Sequence, residues 1–97
     1  MEAVERRRVA VATGERIGKV THYFGKIDVA VIDLTADLKI GDRVHFLGRN
    51  TDFPQEITSM QIEHEPISEA KAGTEIATKV VKRVRRGDSL FLLADEG

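Results

Sequence analysis

β-Branched and other apolar residues cluster or alternate between glycine-marked turns along this chain, and runs with helical period are few. That pattern predicts strands. Residues 17–24 (Ile17-Gly18-Lys19-Val20-Thr21-His22-Tyr23-Phe24) form the first, with Tyr23 and Phe24 on opposite faces. Gly25-Lys26 suits a two-residue type II′ turn with Gly first, and Ile27 to Leu34 returns as the second strand. Its apolar residues fall on both faces, Ile27, Val29 and Val31 on one and Ala30, Ile32 and Leu34 on the other, which predicts a central strand buried on both sides. Thr35-Ala36-Asp37 breaks the run. Arg43 to Leu47 alternates, with Val44 and Phe46 on one face and Arg43 and His45 on the other. Gly48 to Pro54 reads as a loop that leaves Phe53 exposed, and Ile57 to His64 as a long strand carrying Met60 and Ile62 inward. Pro66 to Lys71 is short and suits one helical turn. Glu75 to Val81 and Ser89 to Leu93 complete the set, with Phe46 and Phe91 as core residues and Val9 to Ala12 as a short edge strand.

One pattern recurs: an apolar residue, a cation, any residue, Gly, then a polar turn residue. It occurs as Leu38-Lys39-Ile40-Gly41-Asp42, as Ala70-Lys71-Ala72-Gly73-Thr74 and as Val84-Arg85-Arg86-Gly87-Asp88, each just before a strand. Glycine supplies positive φ and Asp or Thr bonds the local backbone, so the repeat reads as structural turn chemistry. The leading apolar residue is expected to tuck under one end of the domain. Gly25, Gly41, Gly73 and Gly87 are the predicted turn glycines.

Composition narrows the class. Ninety-seven residues allow one core, with residues 1–12 as a tail or edge strand and 13–97 as a single β-barrel domain. Hydrophobic residues make up 41% and charged residues 32%, a globular balance. No apolar run approaches membrane-spanning length, and too few apolar residues follow Arg6-Arg7-Arg8 for an export signal, so the cytoplasm is the expected compartment. Without cysteine there is no disulfide, thiol nucleophile or cysteine-ligated metal. The net charge of −1 hides a local asymmetry. Lys79, Lys82, Arg83, Arg85 and Arg86 fall within one acid-free window, Arg6 to Arg8 form a second basic cluster, and acids such as Glu63, Glu65, Glu69 and Glu75 dominate elsewhere. The five cations are candidate phosphate contacts for RNA, against the plainer reading of a solvated turn.

No catalytic constellation stands out. Gly14-Glu15-Arg16-Ile17-Gly18-Lys19-Val20 has one residue too few between its glycines for a phosphate loop, lacks Ser or Thr after Lys19, and leads into a strand rather than a helix. His22, His45 and His64 lack the close spacing of a metal pair, and a strand turns His64 away from Glu63 and Glu65. Ser59, Ser68 and Ser89 have no nucleophile elbow. No cofactor or metal is expected.

Gly18-Lys19-Val20, the hairpin to Ile32, Leu38-Lys39-Ile40-Gly41-Asp42, Ala72-Gly73 and Arg86-Gly87-Asp88 resemble domain 2 of the translational GTPases. More closely, Gly18-Lys19-Val20-Thr21-His22-Tyr23-Phe24 and Thr51-Asp52-Phe53 through Ser59-Met60-Gln61 resemble the C-terminal barrel module of the U32 collagenase-like peptidases, over residues 15–93. The resemblance implies an all-β, six-stranded, antiparallel, Greek-key closed barrel without the GTPase or peptidase domain, so neither GTP binding nor proteolysis carries over. In the elongation factor that delivers aminoacyl-tRNA, this domain helps hold the acceptor end through a glutamate and an arginine. Gln61 and His64 fall at those positions and are the candidate acceptor-end site, although both differ in type. The leading expectation is a non-catalytic binding module for RNA or a ribonucleoprotein, in keeping with the link of some U32-type proteins to RNA modification. The alternative is a protein-interaction module that docks a separate U32 peptidase-like or other enzyme.

Overall fold

The computed structural model describes residues 14–93; the expected edge strand Val9–Ala12 and the Arg6–Arg8 cluster lie outside the described residues. The fold is all-β, and no helix occurs among the described residues. The strands are β1 (Glu15–Phe24), β2 (Val29–Leu34), β3 (Leu38–Lys39), β4 (Arg43–Gly48), β5 (Thr51–Glu56), β6 (Met60–Ile62), β7 (Glu65–Ile67), β8 (Glu69–Ala70), β9 (Glu75–Lys79) and β10 (Ser89–Leu92). Eight pair in the order β5-β4-β10-β1-β2-β9-β6-β7, and β3 pairs with β8 in a separate ribbon. Neighbours in every ladder are antiparallel.

The expectation of six strands closing a ring gives way to ten strands and a ladder ending at β5 and β7. One side chain ties the β5 edge to the end of β9. Buried Gln55 on β5 donates from Nε2 to the Lys79 carbonyl (2.9 Å), and its Oε1 accepts the Val81 N–H (2.9 Å), as a neighbouring strand's peptide group would. Thr78 Oγ1 donates to the Ser59 carbonyl at 2.7 Å. The core gathers Ile17, Val20, Ile32, Leu34, Val44, Phe46, Ile57, Met60, Ile76 and Leu90.

Several local expectations are corrected. Residues 51–56 are a strand rather than a loop, with Thr51, Phe53 and Gln55 buried and Asp52, Pro54 and Glu56 exposed. Phe53 therefore lies in the core, its ring 5.2 Å from that of Phe46. Polar Thr51 and Gln55 mask this strand's hydrophobic period, and Pro54 is tolerated because β5 is an edge. The chain also leaves the sheet after Glu56, so the expected long strand 57–64 shrinks to β6. Pro66 to Lys71 builds β7 and β8 instead of a helical turn.

The β1–β2 connection spans 25–28 rather than two residues. Its left-handed position is Asp28 (φ 56°), a residue type that tolerates this region, and Gly25 is not among the positive-φ glycines. Finally, β2 is central but covered on one side only. Ala30, Ile32 and Leu34 are buried, whereas Val29 and Val31 remain half-exposed. A register shift between Val20 and His22 sets the faces of β1: Tyr23 packs on the core and Phe24 points out, 51% exposed.

Candidate functional site

The three glycine turns share one geometry. Gly41, Gly73 and Gly87 have φ of +98°, +90° and +95°. In each, the residue after Gly donates its N–H to the cation's carbonyl: Asp42 to Lys39 (3.1 Å), Thr74 to Lys71 (3.2 Å) and Asp88 to Arg85 (3.0 Å). Positive φ at the third turn position is the type II requirement that selects glycine. The leading residues Leu38, Ala70 and Val84 are all buried, so each turn is pinned beneath by an apolar plug.

The aspartates differ. Asp42 accepts the Lys39 ammonium at 2.8 Å and the Lys39 N–H at 3.0 Å. Its hydrogen bond, then its charge, hold that ammonium above the usual lysine range. Asp88 turns inward and is only 5% exposed. It accepts the Arg85 N–H at 2.8 Å and the Thr51 hydroxyl. Gly48 packs so close that a Cβ there would collide with the Asp88 carboxylate. The carboxylate thus locks the last turn to the β4–β5 hairpin. Among the described residues, no ion pair ties Arg83, Arg85 or Arg86 to an acid.

The five predicted cations separate. Arg83, Arg85 and Arg86 line one shallow groove of about 370 Å³ with Thr21, His22, Tyr23 and Val84. Lys79 sits at the end of β9, where its ammonium donates to the Ile27 carbonyl at 3.3 Å. Lys82 is exposed and does not line that groove.

A second, larger cleft of about 580 Å³ lies on the outer face of β2, β9 and β6. Gln61 and His64 both line it, beside Phe24, Ile27, Val29, Val31 and Ala77, with Glu63 and Glu75 at its rim. Glu63 and His64 form the tip of the β6–β7 hairpin, and both take positive φ (50° and 70°). That is the type I′ requirement, met here without glycine. Sequence reasoning did not assign the apolar lining to a site. Its signal was the two-faced apolar pattern of β2.

The three histidines stay apart in role. His22 stacks on Phe24 with ring centroids 6.3 Å apart. His45, which alternation puts on the face of Arg43, is buried, with Nε2 2.6 Å from Asp52 Oδ1 and Nδ1 without a partner among the described residues. It lies between two neighbouring strands, paired with Pro54 on β5 and with Phe91 on β10. Among the described residues, no three His, Cys, Asp or Glu side chains converge to hold a metal ion. No helix among them is long and apolar enough to cross a membrane.

No protein-family model matches the chain. It is 40% identical over 80 residues to an uncharacterized protease of Methanocaldococcus jannaschii, a match covering 81% of this chain and 20% of that protein. The chain therefore spans about a fifth of the length of the curated relative it matches. Its fold is that of the C-terminal domain of a Geobacillus thermoleovorans U32 peptidase, with TM-score 0.78 and 20% identity over 82% of this chain and 93% of that one. The selenomethionine variant of that domain gives TM-score 0.76 at 21% identity, over 79% and 98% of the two chains.

Proposed function

We propose that this chain is a non-catalytic interaction module that docks a U32 peptidase-like body. The observation that carries this reading is the 40% identity over most of the chain to a segment making up only 20% of a protease. Likeness to a peptidase's C-terminal domain supports it from the side of the fold. A module of this size adds binding surface to an active site built elsewhere, and a family name does not bring chemistry with it.

The test is calorimetric titration of the chain into the M. jannaschii relative produced without its matched segment. One-to-one binding is expected, and absence of binding defeats the reading. A second reading, contact with RNA, is favoured by one feature: the three arginines that share a groove with His22 and Tyr23. It predicts tRNA binding that weakens steeply with salt and disappears when Arg83, Arg85 and Arg86 are changed to Ser.

A further inference from the structure

Residues 24–29 and 79–86 meet at one end of the sheet. Val29 pairs with Lys79, the Val80 N–H donates to the Asp28 carbonyl at 2.9 Å, and the Lys79 ammonium donates to the Ile27 carbonyl at 3.3 Å. Arg83 shares a groove with Tyr23, the residue before Phe24. Together the two segments carry six cations, Lys26, Lys79, Lys82, Arg83, Arg85 and Arg86, and one acid, Asp28. All six cations are exposed. The rest of the chain carries nine cations and fifteen acids. The near-zero net charge is therefore the sum of a strongly basic end and an acidic remainder.

The same end holds most of the large apolar side chains that the domain leaves open. Four are exposed among the described residues, and three of them are here: Phe24 at 51%, Ile27 at 57% and Val81 at 69%. Phe24 and Ile27 bracket the β1–β2 turn, and Val81 follows the residue bonded to that turn. Half-buried Val29 extends the patch toward the cleft. Single exposed apolar residues are ordinary; a cluster of them at one basic end marks an interaction surface.

An occupant of this end must satisfy both halves of its chemistry. RNA would pair the cations through its phosphates but offers Ile27 and Val81 no hydrocarbon. A protein partner would need an acidic rim around a pocket shaped for these three side chains. An anionic lipid surface supplies both parts without a shaped pocket: a negative layer that attracts Lys and Arg, and acyl chains just beneath it that take up apolar side chains. The long stems of Lys26 and Lys82 let their ammonium groups stay among the headgroups while the apolar side chains go deeper. The acidic remainder, repelled by the same layer, orients the domain with this end down. We infer that this end docks the domain peripherally on an anionic membrane surface, with Phe24, Ile27 and Val81 entering the boundary between headgroups and acyl chains. The proposal goes beyond docking to a peptidase-like body and is independent of it.

Co-sedimentation of the whole chain with lipid vesicles tests it. Binding is expected to vesicles of equal parts phosphatidylglycerol and phosphatidylcholine, is lost on phosphatidylcholine alone, and weakens as salt is added. The chain has no tryptophan, so Phe24→Trp supplies a single reporter. Its emission is expected to shift to the blue on binding and to be quenched by brominated acyl chains. Phe24→Ser/Ile27→Ser should weaken binding about 30-fold, the scale of two partly buried apolar side chains. Lys82→Ser and Arg83→Ser should each weaken it about fivefold. Lys71→Ser should leave it unchanged, because Lys71 lies at the other end of β2, where the Gly73 N–H bonds the Leu34 carbonyl. All the changed side chains are exposed, so folding is retained and is checked by circular dichroism. Absence of binding to the anionic vesicles overturns the proposal. So does binding that Phe24→Ser/Ile27→Ser leaves intact, or a Phe24→Trp emission that does not shift. If vesicles are not bound, tRNA binding at this end assigns it to RNA, and loss of binding to the M. jannaschii body in Phe24→Ser/Ile27→Ser assigns it to a protein; either result refutes the lipid contact.

Discussion

The loop at 80–88 and the outer face of β2 and β9 touch, yet they are built on opposite principles. The loop carries its exposed cations on buried anchors: Val80, Val84 and Asp88 beneath it, and the Gln55 amide holding Lys79 and Val81 from the side. The outer face is made of regular strands whose inward residues are packed and whose outward apolar residues stay half-exposed. In the loop, removing a buried polar group should damage the fold. On the face, removing exposed apolar groups should damage only association. The contrast separates what holds the domain together from what it offers to a partner.

The largest effect is expected from Asp88→Ala. It strands the Thr51 hydroxyl and the Arg85 N–H, which bond to the carboxylate. Stranding two such donors costs about 3 kcal/mol, or on the order of 15 °C in Tm for a domain of this size, read by thermal denaturation. Gly48→Ala comes next, because its new Cβ collides with the buried Asp88 carboxylate; overpacking of that kind costs about 2 kcal/mol. Phe24→Ser/Ile27→Ser should leave unfolding by urea within about 0.5 kcal/mol of the parent, because both side chains are exposed. A large loss of stability there would erase the distinction between the two regions.

The smallest effect belongs to the sister turn at Lys39. Its raised ammonium pKa means that the ion pair with Asp42 contributes fully below the ordinary value of 10.5 and fades as pH rises through the raised value. Lys39→Met should therefore flatten the high-pH limb of Tm against pH and change little near neutrality, since the pair is exposed.

The glycine turns were legible in the sequence because positive φ is a local demand that few residues meet. So were β1, β2, β4, β9 and β10, where β-branched and other apolar residues mark the strands. β5 was hidden because Thr51 and Gln55 hold inward positions by tertiary hydrogen bonds rather than by apolarity. The β6–β7 hairpin was hidden because Glu63 and His64 take a turn usually given to Asn and Gly. His45 looked exposed from the alternation of its own strand, which does not reveal what neighbouring strands cover. The cations at 79–86 could be read as a run, but their division between a groove and a strand end comes from the fold. The apolar cleft was visible only as the two-faced pattern of β2. A sequence alone does not distinguish a face buried by its own chain from one left for a partner.

Docking to a peptidase-like body is tested most directly by a chimera in which this chain replaces the matched segment of the M. jannaschii relative. Scanning calorimetry of that chimera should show one cooperative transition, with the module melting together with the body it rests on. Two independent transitions, one of them at the Tm of the isolated chain, would contradict the account.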